Sequence, residues 1–319
     1  MAIIVHKYGG TSMGSVERIK NVARRVAKWH RAGYQMVVVV SAMSGETNRL
    51  IALAKEIMPN PDPRELDVIA STGEQVSIGL LAMALKSIGV DAVSFNGSQV
   101  AVHTDSAFTK ARIESIDSEP VKRELDAGKV VIVAGFQGRD SAGNVTTLGR
   151  GGSDTTAVEL AAALKADRCE IYSDVDGIYT ADPRLVTGAV RLDRIDYGDM
   201  LRLALHGSQV LHSRSVEAAM RANVRVHLLS SFTRHEGTVM CKLDDRSGLC
   251  GVTRDPSLGT VSIIGREADA HVLAEAVAAL AHSDIIVTRT ELFDGGCSLF
   301  VSPDRLLPAL ELVHRRFFR

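Results

Sequence analysis

A glycine-rich turn with a preceding lysine lies near the start of the chain, between a predicted strand and a predicted helix. Lys7 comes before the pair Gly9-Gly10, and the helix is expected to begin near Ser15. Backbone N–H groups of a glycine turn can approach an anion closely, and the lysine and the helix start add positive charge. The turn is a candidate phosphate site, with an ordinary tight turn as the alternative. The chain contains neither a Walker A sequence nor a Gly-x-Gly-x-x-Gly sequence.

A second glycine-rich segment, residues 148–156, opens an Ala-rich predicted helix. Ser153 is a plausible N-cap and Asp154 suits the first turn, so a well-capped helix is one interpretation. Arg150 lies between glycines, and its guanidinium could bind a carboxylate or a phosphate through two hydrogen bonds. This arginine favours an anion site.

Several carboxylates lie in residues 172–184, at the end of another predicted strand. The carboxyl ends of strands in an open α/β sheet are where ligands bind, so Asp174 and Asp176 could hold Mg²⁺ directly or through water. An Asx-rich turn ending at Asp182 is equally consistent with the pattern. Hydroxyls and a carboxylate also follow two other turns, at residues 41–48 and 71–74. They could bind an amino-acid substrate, although such residues commonly begin helices.

The elements that must position these residues alternate between strands and helices from residue 1 to about 240, a pattern that predicts an α/β sandwich with a parallel sheet. The predicted strands are Ile3–Lys7, Met36–Ser41, Ala92–Phe95, Lys129–Ala134, Arg168–Ser173 and Arg225–Leu229, and helices are predicted over Ser15–Arg31 and Gly73–Ile88. A polar stretch at 242–248 is the best boundary candidate, which gives domains at 1–243 and 249–319.

The remaining residues predict most of a ferredoxin-like α+β domain. Its elements are strand Thr260–Gly265, helix Ala268–His282, strand Ile285–Thr290, strand Cys297–Val301 and helix Pro303–Phe317. One strand is missing unless Leu249–Arg254 or a second copy of the chain supplies it.

Composition narrows the function classes. The chain has 319 residues, of which 45% are hydrophobic, and a formal net charge of −1. That balance argues against binding nucleic acid or an anionic membrane through overall charge. The longest apolar runs are far shorter than the roughly 20 residues of a membrane span, and no signal peptide is evident. A cytoplasmic location is expected. The four cysteines lie far apart, so neither a disulfide framework nor a zinc site is predicted.

Three glycine-containing turns, at residues 7–12, 149–154 and 173–184, closely resemble in sequence and order those of the aspartokinases, in the amino-acid kinase family. The similarity extends through residues 38–45 and 162–164 to about residue 240. It implies a three-layer αβα sandwich of the amino-acid kinase type and ATP-dependent, Mg²⁺-dependent phosphorylation of the β-carboxylate of L-aspartate. It also implies a small C-terminal ACT-like domain, which would form a homodimer.

The same resemblance implies a role for individual residues. Lys7 and the Gly9-Gly10 turn would bridge the transferring phosphoryl group, with Asp154 beside them. The aspartate pocket would comprise Ser41, Thr47, Glu74, Arg150, Ser153 and Asp154, with Arg150 on the α-carboxylate and Glu74 toward the ammonium group. Nucleotide contacts would come from Ser173, Asp174, Tyr179 and Arg184. No protein ligand for a metal is predicted.

The chain departs from the family pattern in two places. Where the family has a lysine expected at the nucleotide phosphates, this chain has Gln209. A charge-assisted hydrogen bond contributes roughly 1.5–3 kcal/mol, so nucleotide affinity or turnover is expected to fall by about tenfold to a hundredfold or somewhat more unless another cation substitutes. The tail predicts only one incomplete ACT-like unit, and residues 266–271 lack a glycine-rich effector turn. Weak or absent inhibition by lysine or threonine is therefore expected.

Two alternatives remain at the level of sequence. The acceptor could be a modified aspartate, because the motifs define a carboxylate site better than they define the surroundings of the amine. The chain could instead be a non-catalytic amino-acid-binding subunit of a full-length kinase, a hypothesis motivated by Gln209 and the reduced tail.

Overall fold

The computed structural model describes residues 1–244 and 248–318. The chain divides into two compact units: Met1–Asp174 with Arg221–His235, and the described residues of Val175–Met220 and Glu236–Arg319. This division differs from the predicted domains, 1–243 and 249–319, because residues 175–220 group with the C-terminal part. The centre of the predicted linker, 245–247, lies outside the described residues, and the domain boundary stays a prediction.

The chain up to residue 174 forms nine strands and six helices. They are β1 (Ile3–Tyr8), α1 (Val16–Arg31), β2 (Gln35–Val40), α2 (Glu46–Ile57), α3 (Pro63–Ala70), α4 (Thr72–Lys86), β3 (Ala92–Phe95), β4 (Val102–Thr104), β5 (Ile113–Ile116), α5 (Glu119–Asp126), β6 (Val130–Ala134), β7 (Gln137–Arg139), β8 (Val145–Thr147), α6 (Gly152–Leu164) and β9 (Arg168–Ser173).

The elements that follow residue 174 are shorter on average. They are β10 (Ile178–Tyr179), β11 (Arg191–Leu192), β12 (Arg194–Asp196), α7 (Tyr197–Leu205), α8 (Ser213–Ala222), β13 (Val226–Ser230), β14 (Thr238–Cys241), β15 (Leu249–Asp255), β16 (Thr260–Gly265), α9 (Ala270–Ala281), β17 (Arg289–Phe293), β18 (Gly296–Phe300) and α10 (Leu306–Phe317), with a 3₁₀ turn at Pro303–Arg305.

The first unit is built on a parallel sheet with strand order β13-β9-β1-β2-β6-β3. Its central strands are buried on both faces, as their continuous β-branched sequences predict. Helices α1 and α4 share a core with Ile4, Val38 and Ile132 on one face. Helix α6 packs against β1 and β9. Because strand side chains alternate between faces, Lys7 lies on the face opposite Ile4 and Tyr8. The predicted three-layer α/β fold is confirmed.

A second small sheet in the first unit was not predicted. Its strand order is β5-β4-β7-β8, and each strand has only three or four residues. Strands this short do not produce a readable alternation of apolar and polar residues.

The second unit contains an antiparallel sheet with strand order β15-β16-β18-β17. Strand β15 supplies the strand that the sequence left open, by pairing with β16. The predicted strand Ile285–Thr290 is wrong, because pairing with β18 begins only at Arg289 and continues to Phe293. Helices α9 and α10 cover the sheet, with Leu280, Leu310 and Val313 in a common core.

The helical stretch Pro63–Lys86 has the length and composition of a membrane span. Core helices of folded proteins have the same length and composition, and half of the 18-residue apolar window in this stretch is buried. Leu81 and Leu85 belong to the core of the first unit, and the stretch is divided at Ser71 between α3 and α4.

Candidate active site

A cleft of about 490 Å³ opens where β1, β2, β6 and β9 reach their carboxyl ends. Parallel strands bring these ends to one edge of the sheet, where ligands of open α/β sheets bind. The cleft brings together eleven of the residues that the sequence analysis selected, namely Lys7, Gly9, Gly10, Ser41, Thr47, Glu74, Arg150, Ser153, Asp154, Ser173 and Asp174.

Lys7 and Asp154 form an ion pair in the wall of this cleft. Lys7 Nζ lies 2.6 Å from Asp154 Oδ1, and the two side chains are 10% and 14% exposed. Lys7 is at the end of β1, whereas Asp154 is in the first turn of α6, where a carboxylate also interacts favourably with the helix dipole. The pair holds an ammonium group beside the glycine turn.

The glycine turn after β1 fits closely between two neighbouring segments. A Cβ on Gly10 would lie 3.1 Å from the Ala42 carbonyl oxygen, and a Cβ on Gly9 would lie 3.5 Å from Lys7 Nζ. The Gly9 N–H donates to the Tyr172 carbonyl at 3.3 Å. A side chain at position 10 would therefore crowd the Ala42 carbonyl, whereas a Cβ at position 9 would make only an ordinary contact with the lysine.

The turn that carries Arg150 depends on two glycines with left-handed backbone, Gly149 with φ +73° and Gly151 with φ +72°. Gly151 is the N-cap of α6, and the cap has no side-chain hydrogen bond. The predicted N-cap role of Ser153 is wrong, because Ser153 lies inside the helix. Its side chain is buried, and a Cβ on Gly135 would approach it within 2.8 Å. Arg150 is exposed at the cleft and has no carboxylate partner in the described part of the chain.

Glu74 is a buried carboxylate in the cleft wall with one oxygen unsatisfied. Its Oε1 accepts a hydrogen bond from the Ala42 N–H at 3.0 Å, while Oε2 has no hydrogen-bond partner. Burial raises the pKa of Glu74 to about 7, and the hydrogen bond from Ala42 opposes this rise only in part. A buried carboxylate with one oxygen that lacks a hydrogen-bond partner is well suited to bind a cationic group of a ligand.

Two residues in or beside the site were not predicted from the sequence. Phe136 lines the cleft in a left-handed conformation, φ +70°, and its N–H donates to Thr156 Oγ1 at 3.1 Å. No sequence signal marks a phenylalanine for this backbone conformation. Asp67, on α3, is fully buried and accepts hydrogen bonds from the backbone N–H groups of Thr109 and Thr147, at 2.9 and 2.8 Å. Thr147 is the last residue of β8 and lies two residues before Gly149. By accepting from Thr147, Asp67 therefore holds the start of the arginine turn, residues 149–151, which carries Arg150.

The remaining predicted nucleotide residues lie in the second unit. The Tyr179 hydroxyl donates to Asp176 at 2.9 Å, and Arg184 pairs with Asp182, with Nη2 2.8 Å from Oδ2. Gln209 is exposed on the segment between α7 and α8. Their roles in nucleotide binding stay predictions.

Metal-binding side chains do not cluster in the described ranges. In residues 1–244 and 248–318, no group of three or more His, Cys, Asp or Glu side chains could hold a metal ion. Three carboxylates line the cleft, namely the buried Glu74, Asp154, which is paired with Lys7, and Asp174, which is exposed.

A parallel αβα sandwich with glycine turns around one anion-binding cleft defines a class of small-molecule kinases. The family model described as "Amino acid kinase family" matches residues 2–230 of the chain. The aspartokinase of Helicobacter pylori (strain J99) is 47% identical over 292 residues, which cover 89% of this chain and 72% of that protein. The chain belongs to the amino acid kinase family, among its aspartokinases.

Other relatives agree with this assignment. The aspartokinase of Pseudomonas aeruginosa is 59% identical over 249 residues, or 78% of this chain and 60% of that protein. The structure of E. coli aspartokinase III with aspartate and ADP superposes with a TM-score of 0.72 at 27% identity, over 98% of this chain and 84% of that one. The chain spans about 60% of the length of the first curated relatives it matches.

Proposed function

We propose that the chain catalyses the ATP-dependent phosphorylation of the β-carboxylate of L-aspartate to 4-phospho-L-aspartate. The observation that carries the proposal is the convergence of Lys7, Arg150 and Glu74 on one cleft of about 490 Å³. Together they offer a cation for a phosphoryl group, a cation for a carboxylate and an acceptor for an ammonium group. The names of the relatives support the same reaction, since they are aspartokinases, and one structure holds aspartate and ADP.

Different residues of the cleft bind the three charged groups of the substrate. Arg150, free of carboxylate partners in the described residues, binds the α-carboxylate, and the unsatisfied Oε2 of Glu74 accepts from the α-ammonium group. Ser41, Thr47 and Ser153 contribute hydroxyls to the same wall. These contacts leave the β-carboxylate toward Lys7 and the glycine turn.

The reaction needs charge neutralisation more than it needs a base. An aspartate β-carboxylate has a pKa near 3.9 and is already ionised at pH 7. The barrier comes from bringing this anion to the γ-phosphate of ATP. Lys7 and the Gly10 N–H stabilise the negative charge on the transferring group, and Asp154 keeps the lysine ammonium in place.

The residues of the cleft are compatible with a magnesium ion that is bound chiefly through the nucleotide. Mg²⁺ commonly keeps several waters and uses one or two carboxylates together with substrate phosphates. Asp174 at the cleft offers one exposed carboxylate. When bound, Mg²⁺ would neutralise phosphate charge. Ser173 and Asp174 would face the nucleotide, and Tyr179, Arg184 and Gln209 would add further contacts.

We also propose a cytoplasmic homodimer that assembles through the ferredoxin-like domain. Strand β17 forms one edge of its sheet, and four of its five residues are exposed. An edge with free N–H and C=O groups can pair with a second copy. Light scattering on the purified chain gives the mass directly, and a monomer at micromolar concentration would exclude this assembly.

Hydroxylamine trapping tests the proposed activity. The purified chain is incubated with ATP, Mg²⁺ and hydroxylamine, which converts an acyl phosphate to a hydroxamate, with L-aspartate, glutamate, an N-substituted aspartate or no acceptor. Aspartate-dependent hydroxamate is the expected result. A signal with the substituted aspartate alone would redefine the substrate. No signal with any acceptor, from a chain shown to bind aspartate, would favour a non-catalytic binding subunit.

A further inference from the structure

A second, smaller cleft begins at Ser12, shortly after the glycine turn. Its volume is about 60 Å³, and it is lined by the polar residues Ser12, Arg18, Asn21, Arg25 and Ser231 together with the apolar residues Val22 and Phe232. All of these residues belong to the first unit. Residues 18, 21 and 25 are spaced by three and four, so they share one face of α1, and this face is turned toward the segment after β13.

The two arginines of this cleft are held by neutral groups. Arg18 Nη1 donates to the Thr11 carbonyl at 2.7 Å, and its guanidinium lies 5.1 Å from the centre of the Phe232 ring. Arg25 Nη2 donates to the Ser231 carbonyl at 3.1 Å, and its guanidinium lies 4.6 Å from the centre of the Tyr172 ring. These contacts fix the orientation of both guanidinium groups without neutralising either.

Across residues 1–244 and 248–318, neither Arg18 nor Arg25 has an ion-pair partner. The other polar groups at the cleft also offer donors. The hydroxyls of Ser12 and Ser231 form a hydrogen bond of 2.5 Å with each other, which leaves one of the two O–H groups to donate elsewhere. Asn21 accepts from Arg24 through Oδ1, which leaves its NH₂ group for another partner. Two fixed guanidinium groups surrounded by hydroxyl and amide donors are the groups that bind an oxyanion.

We propose that this cleft is a binding site for a phosphate-type oxyanion, separate from the active site. Its volume of about 60 Å³ is enough for a single phosphate group but not for the whole of a larger metabolite. The ligand is either free phosphate or the phosphoryl end of a larger metabolite that extends into solvent. The site does not depend on the kinase function proposed above.

The position of the cleft connects it to the active site through one turn. Gly9, Gly10 and Thr11 line the large cleft, and Ser12, the next residue, lines the small one. An oxyanion that contacts Ser12 and Arg18 would restrict the motion of this turn. The site is therefore placed to link the concentration of a phosphate compound to the conformation of the phosphoryl-binding loop.

Titration with inorganic phosphate, followed by the amide NMR signals of the full chain, tests the proposal without an activity assay. We expect saturable shifts at Asn21 and Phe232, separable from any shift at Gly45 and Gly151 in the large cleft. Arg18→Gln should weaken the binding measured at Asn21 and Phe232 by at least about tenfold, because it removes a charge-assisted hydrogen bond. Lys20→Gln removes the same charge from an exposed position of α1 outside the cleft and should leave the affinity unchanged.

Further arms identify the ligand and protect the test against misfolding. Arg25→Gln should weaken binding like Arg18→Gln, and a thermal melt verifies that each variant folds. Tighter binding of glycerol phosphate than of inorganic phosphate would identify a phosphomonoester as the ligand, and the reverse order would identify free phosphate. The proposal is overturned if Asn21 and Phe232 show no saturable shift, if Arg18→Gln binds like the parent, or if acetate binds as well as phosphate.

Discussion

Lys7 and Asp154 join the end of the first strand to the first turn of helix α6 through an ion pair of 2.6 Å that is almost shielded from water. A surface ion pair contributes only about 0–1 kcal/mol, whereas removal of one partner from a buried pair leaves an uncompensated charge. Asp154 therefore keeps the lysine ammonium at a defined place in the cleft. Burial of this ion pair costs desolvation free energy. An interaction between the ammonium group and a transferring phosphoryl group would offset that cost.

Lys7→Ala is expected to lower aspartate-dependent turnover by about a hundredfold to a thousandfold, because the main protein cation at the transferring group is lost. Asp154→Asn should lower kcat less, since it leaves the ammonium present but poorly oriented. Hydroxamate formation measures both effects. Lys129→Ala is the matched control, since it breaks a 2.7 Å ion pair with Glu124 at the surface. Full turnover by Lys7→Ala would contradict the assigned role of the lysine.

Arg150→Gln is expected to raise the KM for L-aspartate by about tenfold to a hundredfold with a smaller change in kcat, because one charge-assisted contact to the α-carboxylate is lost. β-Alanine, which is aspartate without its α-carboxylate, isolates this contact. The parent should prefer aspartate strongly over β-alanine, and the variant should lose most of that preference. Arg112→Gln, at an exposed position outside the cleft, should change neither value. An unchanged preference in Arg150→Gln would assign the α-carboxylate to another residue.

Glu74→Gln should raise the stability of the chain at high pH while it weakens the binding of aspartate. Burial raises the pKa of Glu74 from 4.5 to about 7, so the folded chain retains a proton that the unfolded chain releases between these values. Stability is therefore lost as the pH rises from about 4.5 to about 7, and the loss stays constant above that range. The glutamine variant lacks this penalty, which is at most roughly 3 kcal/mol. We expect it to melt higher than the parent at pH 8 and much closer to the parent at pH 4.5.

The same variant should bind aspartate less well, because the amide cannot compensate the ammonium charge as a carboxylate does. A KM increase of about tenfold or more is expected at pH 8. Calorimetry and steady-state kinetics check the two effects. Glu56→Gln, an exposed carboxylate change on α2, is the control for both. If the stability difference between Glu74→Gln and the parent does not grow with pH, Glu74 is not the buried acid that the structure indicates.

The sequence predicted the edge of the sheet that carries the cleft better than the elements around it. Strands Ala92–Phe95 and Arg168–Ser173 were predicted with their observed bounds. The cleft residues in the first unit follow from this, since the carboxyl ends of parallel strands must meet at one edge. Phe136 could not be found in this way, because its left-handed backbone is accompanied by a tertiary hydrogen bond, from its N–H to Thr156 Oγ1, that the local sequence does not reveal.

Other failures have a similar origin in tertiary contacts. Ser153 looks like an N-cap, but the N-cap is Gly151, two residues earlier and with a positive φ, so the serine lies within α6. The apolar residues Ile285 and Val287 suggested a strand, but they pack into the core of the second unit before the paired strand starts at Arg289. Local sequence gives the apolar character of these residues, whereas the partner strand determines where pairing begins.

Gln209→Lys tests whether the departure from the family pattern limits this chain. Gln209 is exposed, so a lysine can be introduced without burying a new charge. If the position faces the nucleotide phosphates, the variant should lower the KM for ATP or raise kcat by about tenfold or more. Ala278→Lys adds the same charge at an exposed position of α9 and should leave both values unchanged. No difference between the two variants would mean that residue 209 does not contact the nucleotide.

Asp67 should act as a positioning residue for the arginine turn. Besides the two backbone N–H groups, it accepts from Thr147 Oγ1 at 2.5 Å, so three donors depend on one buried carboxyl group. Asp67→Ala leaves the backbone donors of Thr109 and Thr147 unsatisfied, at about 1–3 kcal/mol each. A lower melting temperature and a higher KM for aspartate are expected, because Gly149 and Arg150 follow directly from Thr147.

Asp67→Asn distinguishes hydrogen bonding from charge at this position. Burial raises the pKa of Asp67, although its three hydrogen bonds oppose the rise, so the ionised form gains little here. The asparagine oxygen can accept from both backbone N–H groups, and its NH₂ group can donate to the Thr147 hydroxyl. We therefore expect Asp67→Asn to restore most of the stability and of the aspartate KM that Asp67→Ala loses. If the asparagine variant is as damaged as the alanine variant, the charge of Asp67, rather than its geometry as an acceptor, holds the turn that carries Arg150.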